Sequence, residues 1–165
     1  MFAVLRFLHI IAGIIWAGGA ILMNLVIGPA IGATGDAGRQ FAGHLMGETA
    51  FSKVMLGCGL TTVLAGTYLY GVSSNWFTSG WMMSGPGIGF GVGAVAGILA
   101  LVFGFMIGNT NGALAALGAQ IQGKPTDAHM AAMGALRKRQ VFVTTANTIF
   151  ILISIALMAS ARLFR

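Results

Sequence analysis

The sequence predicts an all-α integral membrane protein, a four-helix bundle with a short interfacial helix between its first two spans. Composition is the first observation behind this. Apolar residues make up 57% of the 165-residue chain and charged residues only 7%, against about a quarter charged in an ordinary globular domain. Three acids and nine Lys/Arg cannot cover a water-facing surface, which excludes a soluble enzyme, a disordered tail and a disulfide scaffold. The second observation is that four apolar stretches each reach the roughly 20 helical residues a bilayer core requires. Backbone groups in lipid must be satisfied within their own segment, so each stretch is expected to be a helix. Residues 1–165 then form a single transmembrane domain.

The first span covers residues 7–31 and holds no formal charge. Arg6, an apolar run and then Ala17-Gly18-Gly19-Ala20 imitate a signal peptide, but the run continues well past that point, so a retained span is expected. In residues 32–50, Asp36, Arg39, His44 and Glu48 are polar, while Phe41, Leu45 and Met46 supply the apolar side of the interfacial helix. The second span covers residues 54–70. Residues 71–85 carry no charge but hold Trp76, Phe77 and Trp81, next to Tyr68 and Tyr70, an aromatic belt of the kind found at membrane interfaces. The third span covers residues 86–108. There Gly89, Gly93 and Gly97 repeat every four residues, as do Gly104 and Gly108, a spacing that lets helix backbones approach closely. These glycines are no nucleotide loop, because no strand precedes them and no Lys-Ser/Thr pair follows. Within the polar stretch 109–140, Pro125, Thr126 and Asp127 mark the start of a capped helix that runs into the fourth span, residues 141–163. Asn147 is the most polar residue of that span and is expected to hydrogen-bond between helices.

Four spans put both termini and residues 71–85 on one side, with Arg6, Arg162 and Arg165. The other side holds Arg39, Lys53, Lys124, Arg137, Lys138 and Arg139. By the positive-inside rule the second side is cytoplasmic and the termini lie outside. The run Arg137, Lys138, Arg139 reads as an anchor beside anionic lipid head groups. An isoelectric point near 10.5 does not signal nucleic acid, since the cations form no broad patch. No Asp, Glu or Lys lies within a span, which weighs against a proton-coupled transporter. No Ser/His/Asp arrangement has a suggestive spacing, and Cys58 stands alone.

His9 is the most informative residue. An ionisable group inside a span is costly and usually serves function. On a helix it shares a face with Gly13, Trp16, Ala20 and Met23. A neutral imidazole there suits a haem iron or a copper ion; the structural reading is a hydrogen bond to a Thr or Tyr of span two. Met82, Met83 and Met158 lie on the same side as candidate partners for a haem. On the opposite side are His44, near Met46 and Glu48, and His129, near Asp127, Met130 and Met133. Imidazole with thioether suits copper(I), and imidazole with carboxylate suits zinc, iron or manganese, although no closed metal motif is present. Roughly a membrane thickness separates these two histidines from His9, so a bis-histidine haem within one chain is awkward. The candidate cofactor residues are therefore His9, Trp16 and Met158, and the candidate metal ligands His9, His44 and His129.

The stretch Leu8-His9-Ile10-Ile11-Ala12-Gly13-Ile14-Ile15-Trp16-Ala17-Gly18-Gly19 resembles the opening helix of a bacterial superfamily. That group includes the copper-resistance D-like membrane proteins, uncharacterised four-helix members and the J-type protoporphyrinogen oxidases. A first-helix histidine followed seven residues on by Trp, then a small pair, recurs there. The closing Ala156-Leu157-Met158-Ala159-Ser160-Ala161-Arg162 is similar to the end of the uncharacterised members. The resemblance implies a haem or metal role for His9, a packing role for Trp16 and a place in the bacterial inner (cytoplasmic) membrane. The J-type oxidases carry an intramembrane lysine as well, whereas Lys53 lies only at the edge of span two, so their activity is not carried over. The expectation is a small membrane protein that binds a b-type haem or a copper ion through His9, for electron transfer or haem and metal handling. The alternative is a non-catalytic structural or accessory subunit whose glycine faces pack against a second copy or a larger membrane complex.

Overall fold

A computed structural model describes residues 1–121 and 123–164; Gln122 and Arg165, the latter counted above with the terminal cations, lie outside them. Among the described residues the chain is all-helical, without strands. The helices are α1 (Phe2–Ala33), α2 (Gly35–Gly47), α3 (Phe51–Ser73), α4 (Gly85–Gln120) and α5 (Asp127–Ser160). All but α2 are long and apolar enough to cross a membrane, as in a multi-pass membrane protein.

The helices outrun the apolar stretches, and α4 continues well past residue 108. Hydropathy marks only the part that lipid would cover, whereas backbone hydrogen bonding continues until a residue stops it. α1 stops at Thr34, because Gly35 follows with φ +59°, a left-handed conformation that favours glycine. α4 starts at Ser84, whose hydroxyl accepts from the Gly87 N–H with Pro86 in the first turn, and α5 starts where the sequence placed it. Thr126 Oγ1 accepts from the His129 N–H at 3.3 Å while His129 Nδ1 accepts from the Thr126 N–H at 3.5 Å. That is a capping box with histidine in the place of the usual Glu or Gln. α2 forms in the segment where a short helix was expected.

Two helix pairs pack tightly and antiparallel. Between α1 and α3 the contacts step by a turn at a time: His9 on Gly66, Gly13 on Thr62, Trp16 on Gly59 and Gly19 on Met55. Between α4 and α5, Gly93 lies so close that a methyl group there would sit 3.0 Å from Met158 Cγ. Ser154 Oγ donates to the Gly93 carbonyl at 2.8 Å, and Asn147 Nδ2 donates to the Ala100 carbonyl at 2.6 Å, the interhelical bond expected of Asn147. Gly89, Gly93 and Gly97 are thus packing positions, while Gly108 faces open space. The pairs meet less closely, chiefly through α3 against α4 and, more sparsely, α1 against α5. One α1–α5 link is a hydrogen bond from Asn24 Nδ2 to Thr148 Oγ1, 3.0 Å, made from a π-helical turn at Met23–Ile27.

Between the pairs, the half of the molecule away from the termini is filled. Trp16, Ala17, Ala100 and Ile151 form its core, and Phe103 stacks on Phe150 at 5.6 Å. Facing outward, Leu25 and Leu64 are 62% and 66% exposed. An apolar exterior of that kind suits acyl chains rather than water.

The glycine contacts yield a contrast. Gly93→Leu is expected to destabilise the protein by about 1–3 kcal/mol through overpacking, read as a lower thermal midpoint in detergent. Gly108→Leu, in open space, is expected to leave that midpoint within error or raise it.

Candidate functional site

His9 is seated by α3. Its Nδ1 lies 2.7 Å from the backbone carbonyl of Thr62. A carbonyl only accepts, so Nδ1 carries the proton and donates. In the neutral ring this leaves Nε2 with a free lone pair. Gly66 makes the position available, since a methyl group there would stand 2.7 Å from His9 Cε1 and 3.0 Å from Nδ1. The hydrogen bond foreseen as the structural reading of His9 therefore exists. It is also the arrangement that orients metal-ligating histidines, which usually donate the other ring N–H to a carbonyl or carboxylate.

His9 lines a cavity of about 1000 Å³, at the top of the roughly 300–1,000 Å³ range of ligand pockets. It arises where the two tight pairs fail to close on one another. Residues of α1, α3, α4 and α5 line it, from Arg6 and Arg162 near the termini down to Trp16, Ala17 and Ile151. Arg6 to Ala17 spans roughly 16 Å of helical rise, about half a bilayer core. Its walls are mainly apolar. Tyr70, Trp81 and Phe90 form an aromatic side, with Tyr70 and Trp81 centroids 5.5 Å apart and Trp81 stacked on Phe90 at 6.5 Å. The Tyr70 hydroxyl donates to the Gly87 carbonyl at 3.2 Å, fixing that side to the start of α4.

Trp16 and Met158 line the same cavity as His9. Trp16 is buried and closes the deep end with its indole against Gly59, where a methyl group would come within 3.2 Å of Nε1. Met158 stands on α5, across the cavity from α1, whereas Met82 and Met83 are not among the lining residues. The other two histidines are elsewhere. His44 is exposed near the end of α2, and His129 serves the α5 cap. Among the described residues no three or more His, Cys, Asp or Glu side chains come together as a metal-holding group.

The sequence reading foresaw a Thr of span two as partner of His9 without singling out Thr62, and it passed over Gly66. A signal was present: Gly59, Thr62 and Gly66 are small residues three and four apart on one face of span two, matching the spacing of His9, Gly13 and Trp16. The rim arginines were read as topology markers alone, although both line the cavity.

No protein-family model matches this sequence, and neither the curated proteins nor the solved structures give a match.

The seat of His9 predicts its tautomer. Ring ¹⁵N chemical shifts of histidine-labelled protein are expected to show neutral His9 protonated at Nδ1; protonation at Nε2 would contradict the contact with Thr62. Gly66→Ala is expected to weaken the Nδ1–H preference by displacing the ring.

Proposed function

We propose that the protein binds a b-type haem in this cavity through His9 and serves electron transfer or haem handling in the membrane. The observation that carries the reading is a histidine inside a large apolar cavity, its Nδ1–H committed to a carbonyl and its Nε2 left for a ligand. The residues fit the group: the volume is ample, the walls offer aromatic faces, and a thioether, Met158, lines the same space as the imidazole. His9 would hold the iron through Nε2, and Met158 would be the candidate second ligand. Haem iron, when bound, supplies a one-electron couple whose potential follows its axial ligands. The chain's own contribution is to hold the imidazole in one tautomer through Thr62, keep the ring edge against Gly66, and exclude water with Trp16 and the apolar walls. Haem is preferred to copper because His9 and Met158 line one large, mainly apolar space, while His44 and His129 lie outside it.

The same proposal includes the family resemblance of the first-helix motif. α1, α3, α4 and α5 form a four-helix bundle in the bacterial inner membrane, with α2 at the interface and the termini outside. Lipid and a second copy or a larger membrane complex are the partners.

The test is the visible spectrum and metal content of the protein purified in mild detergent. A Soret band in the wild type, lost in His9→Ala with the fold retained, is the expected result. A folded protein that is colourless and metal-free would overturn it. Met158→Leu is expected to keep haem bound and lower its midpoint potential, since a thioether ligand raises it; an unchanged potential removes Met158 from the ligand set.

A further inference from the structure

The rim of the cavity carries two cations that iron ligation does not use. Arg6 precedes His9 by about one turn on α1, and Arg162 follows Met158 by about one turn in the 3₁₀ extension of α5, Ala161–Leu163. Both line the cavity, and among the described residues no Asp or Glu does. Among the described residues neither guanidinium has a salt-bridge or hydrogen-bond partner; the salt bridge found there joins Arg39 to Asp36. Guanidinium groups remain charged under all conditions a protein meets, so an oxyanion at this rim gains charge-assisted, bidentate hydrogen bonds. Level with the rim, the Tyr70–Trp81–Phe90 side presents aromatic surface suited to a flat conjugated ring. Positive mouth, aromatic wall and apolar depth together describe a flat apolar molecule with anionic groups along one edge.

Resting on the haem reading above, we infer that Arg6 and Arg162 form a carboxylate clamp that grips the two propionates of the haem. The bare edge of the ring then points toward Trp16 and the acidic edge stays at the rim. The clamp sets the orientation of the macrocycle, while His9 sets the iron. Lipid phosphate offers the same oxyanion chemistry, and the arms of the test separate the two sources.

The purified protein in a neutral maltoside detergent is titrated with haem and with haem dimethyl ester, following the Soret band. The wild type is expected to bind the diacid about tenfold or more tightly than the diester, the scale of at least one charge-assisted hydrogen bond. In R6Q/R162Q the diacid is expected to fall to the affinity of the diester, whose own binding is unchanged. Equal binding of both forms by the wild type overturns the clamp and leaves His9 ligation standing. No Soret change with either form overturns the haem reading and the clamp with it. If the double variant melts early, the wild-type comparison decides alone. Equal binding together with phosphatidylglycerol retained by the wild type and lost by R6Q/R162Q would assign the arginines to lipid and overturn the proposal.

Discussion

The seat of the His9 ring, between the Thr62 carbonyl and the bare backbone of Gly66, is the constraint on which the site depends. An imidazole inside a span is tolerated only when its polar atoms are answered, and here one answer comes from the neighbouring helix backbone. Such a bond requires α1 and α3 to approach closely, which a side chain at position 66 would prevent. The same closeness recurs where Trp16 lies on Gly59 and Gly13 on Thr62, so the helix pair is fixed in register by small residues opposite large ones. Packing of this kind substitutes for the hydrophobic driving force that helices lack in lipid. One ring nitrogen is thereby committed to the neighbouring helix, and in the neutral ring the other keeps its lone pair.

The cavity follows from how unevenly the helices associate. α4 and α5 are joined by Ser154 and Asn147 donating to α4 carbonyls and by the glycines opposite them. α1 and α3 are joined by their own small-residue face. Between the pairs, Trp16, Ala17, Ala100 and Ile151 pack together with Phe150 against them, and among the described residues the cavity lies on the terminal side of this cluster. About 1000 Å³ of mainly apolar space lined by His9 is thereby left between the pairs, open along part of its length where Ile10 and Ile14 are 46% and 63% exposed. Tyr70, Trp81 and Phe90 line its terminal end, so of the aromatic residues in 71–85 Trp81 belongs to the site.

Much of the helical plan was legible in the sequence, because apolar run length and capping chemistry are local properties. The four long apolar helices, the Thr126 start of α5, the interhelical role of Asn147 and the packing role of Gly93 all came from single residues and their spacing. Helix ends were less legible: α4 runs to Gln120 straight through Asn111-Gly112, a pair that usually marks a turn, and hydropathy does not report where hydrogen bonding ends. His9 and Met158 were singled out from the sequence, but their sharing of one cavity depends on how four helices meet. The partner of His9 left no trace of its own, since every residue carries the same carbonyl. The π-helical turn that carries Asn24 toward Thr148 also has no composition of its own. Reading Gly59, Thr62 and Gly66 as one face would have come nearest.

The identity of the iron ligand tests the account most directly. Haem-loaded protein with ¹⁵N-labelled histidine, examined by pulsed electron paramagnetic resonance, should show coupling of the iron to one histidine nitrogen. That coupling should vanish in His9→Ala while His44 and His129 remain. Coupling that persists in His9→Ala, or that is absent from the haem-loaded wild type, would contradict the account.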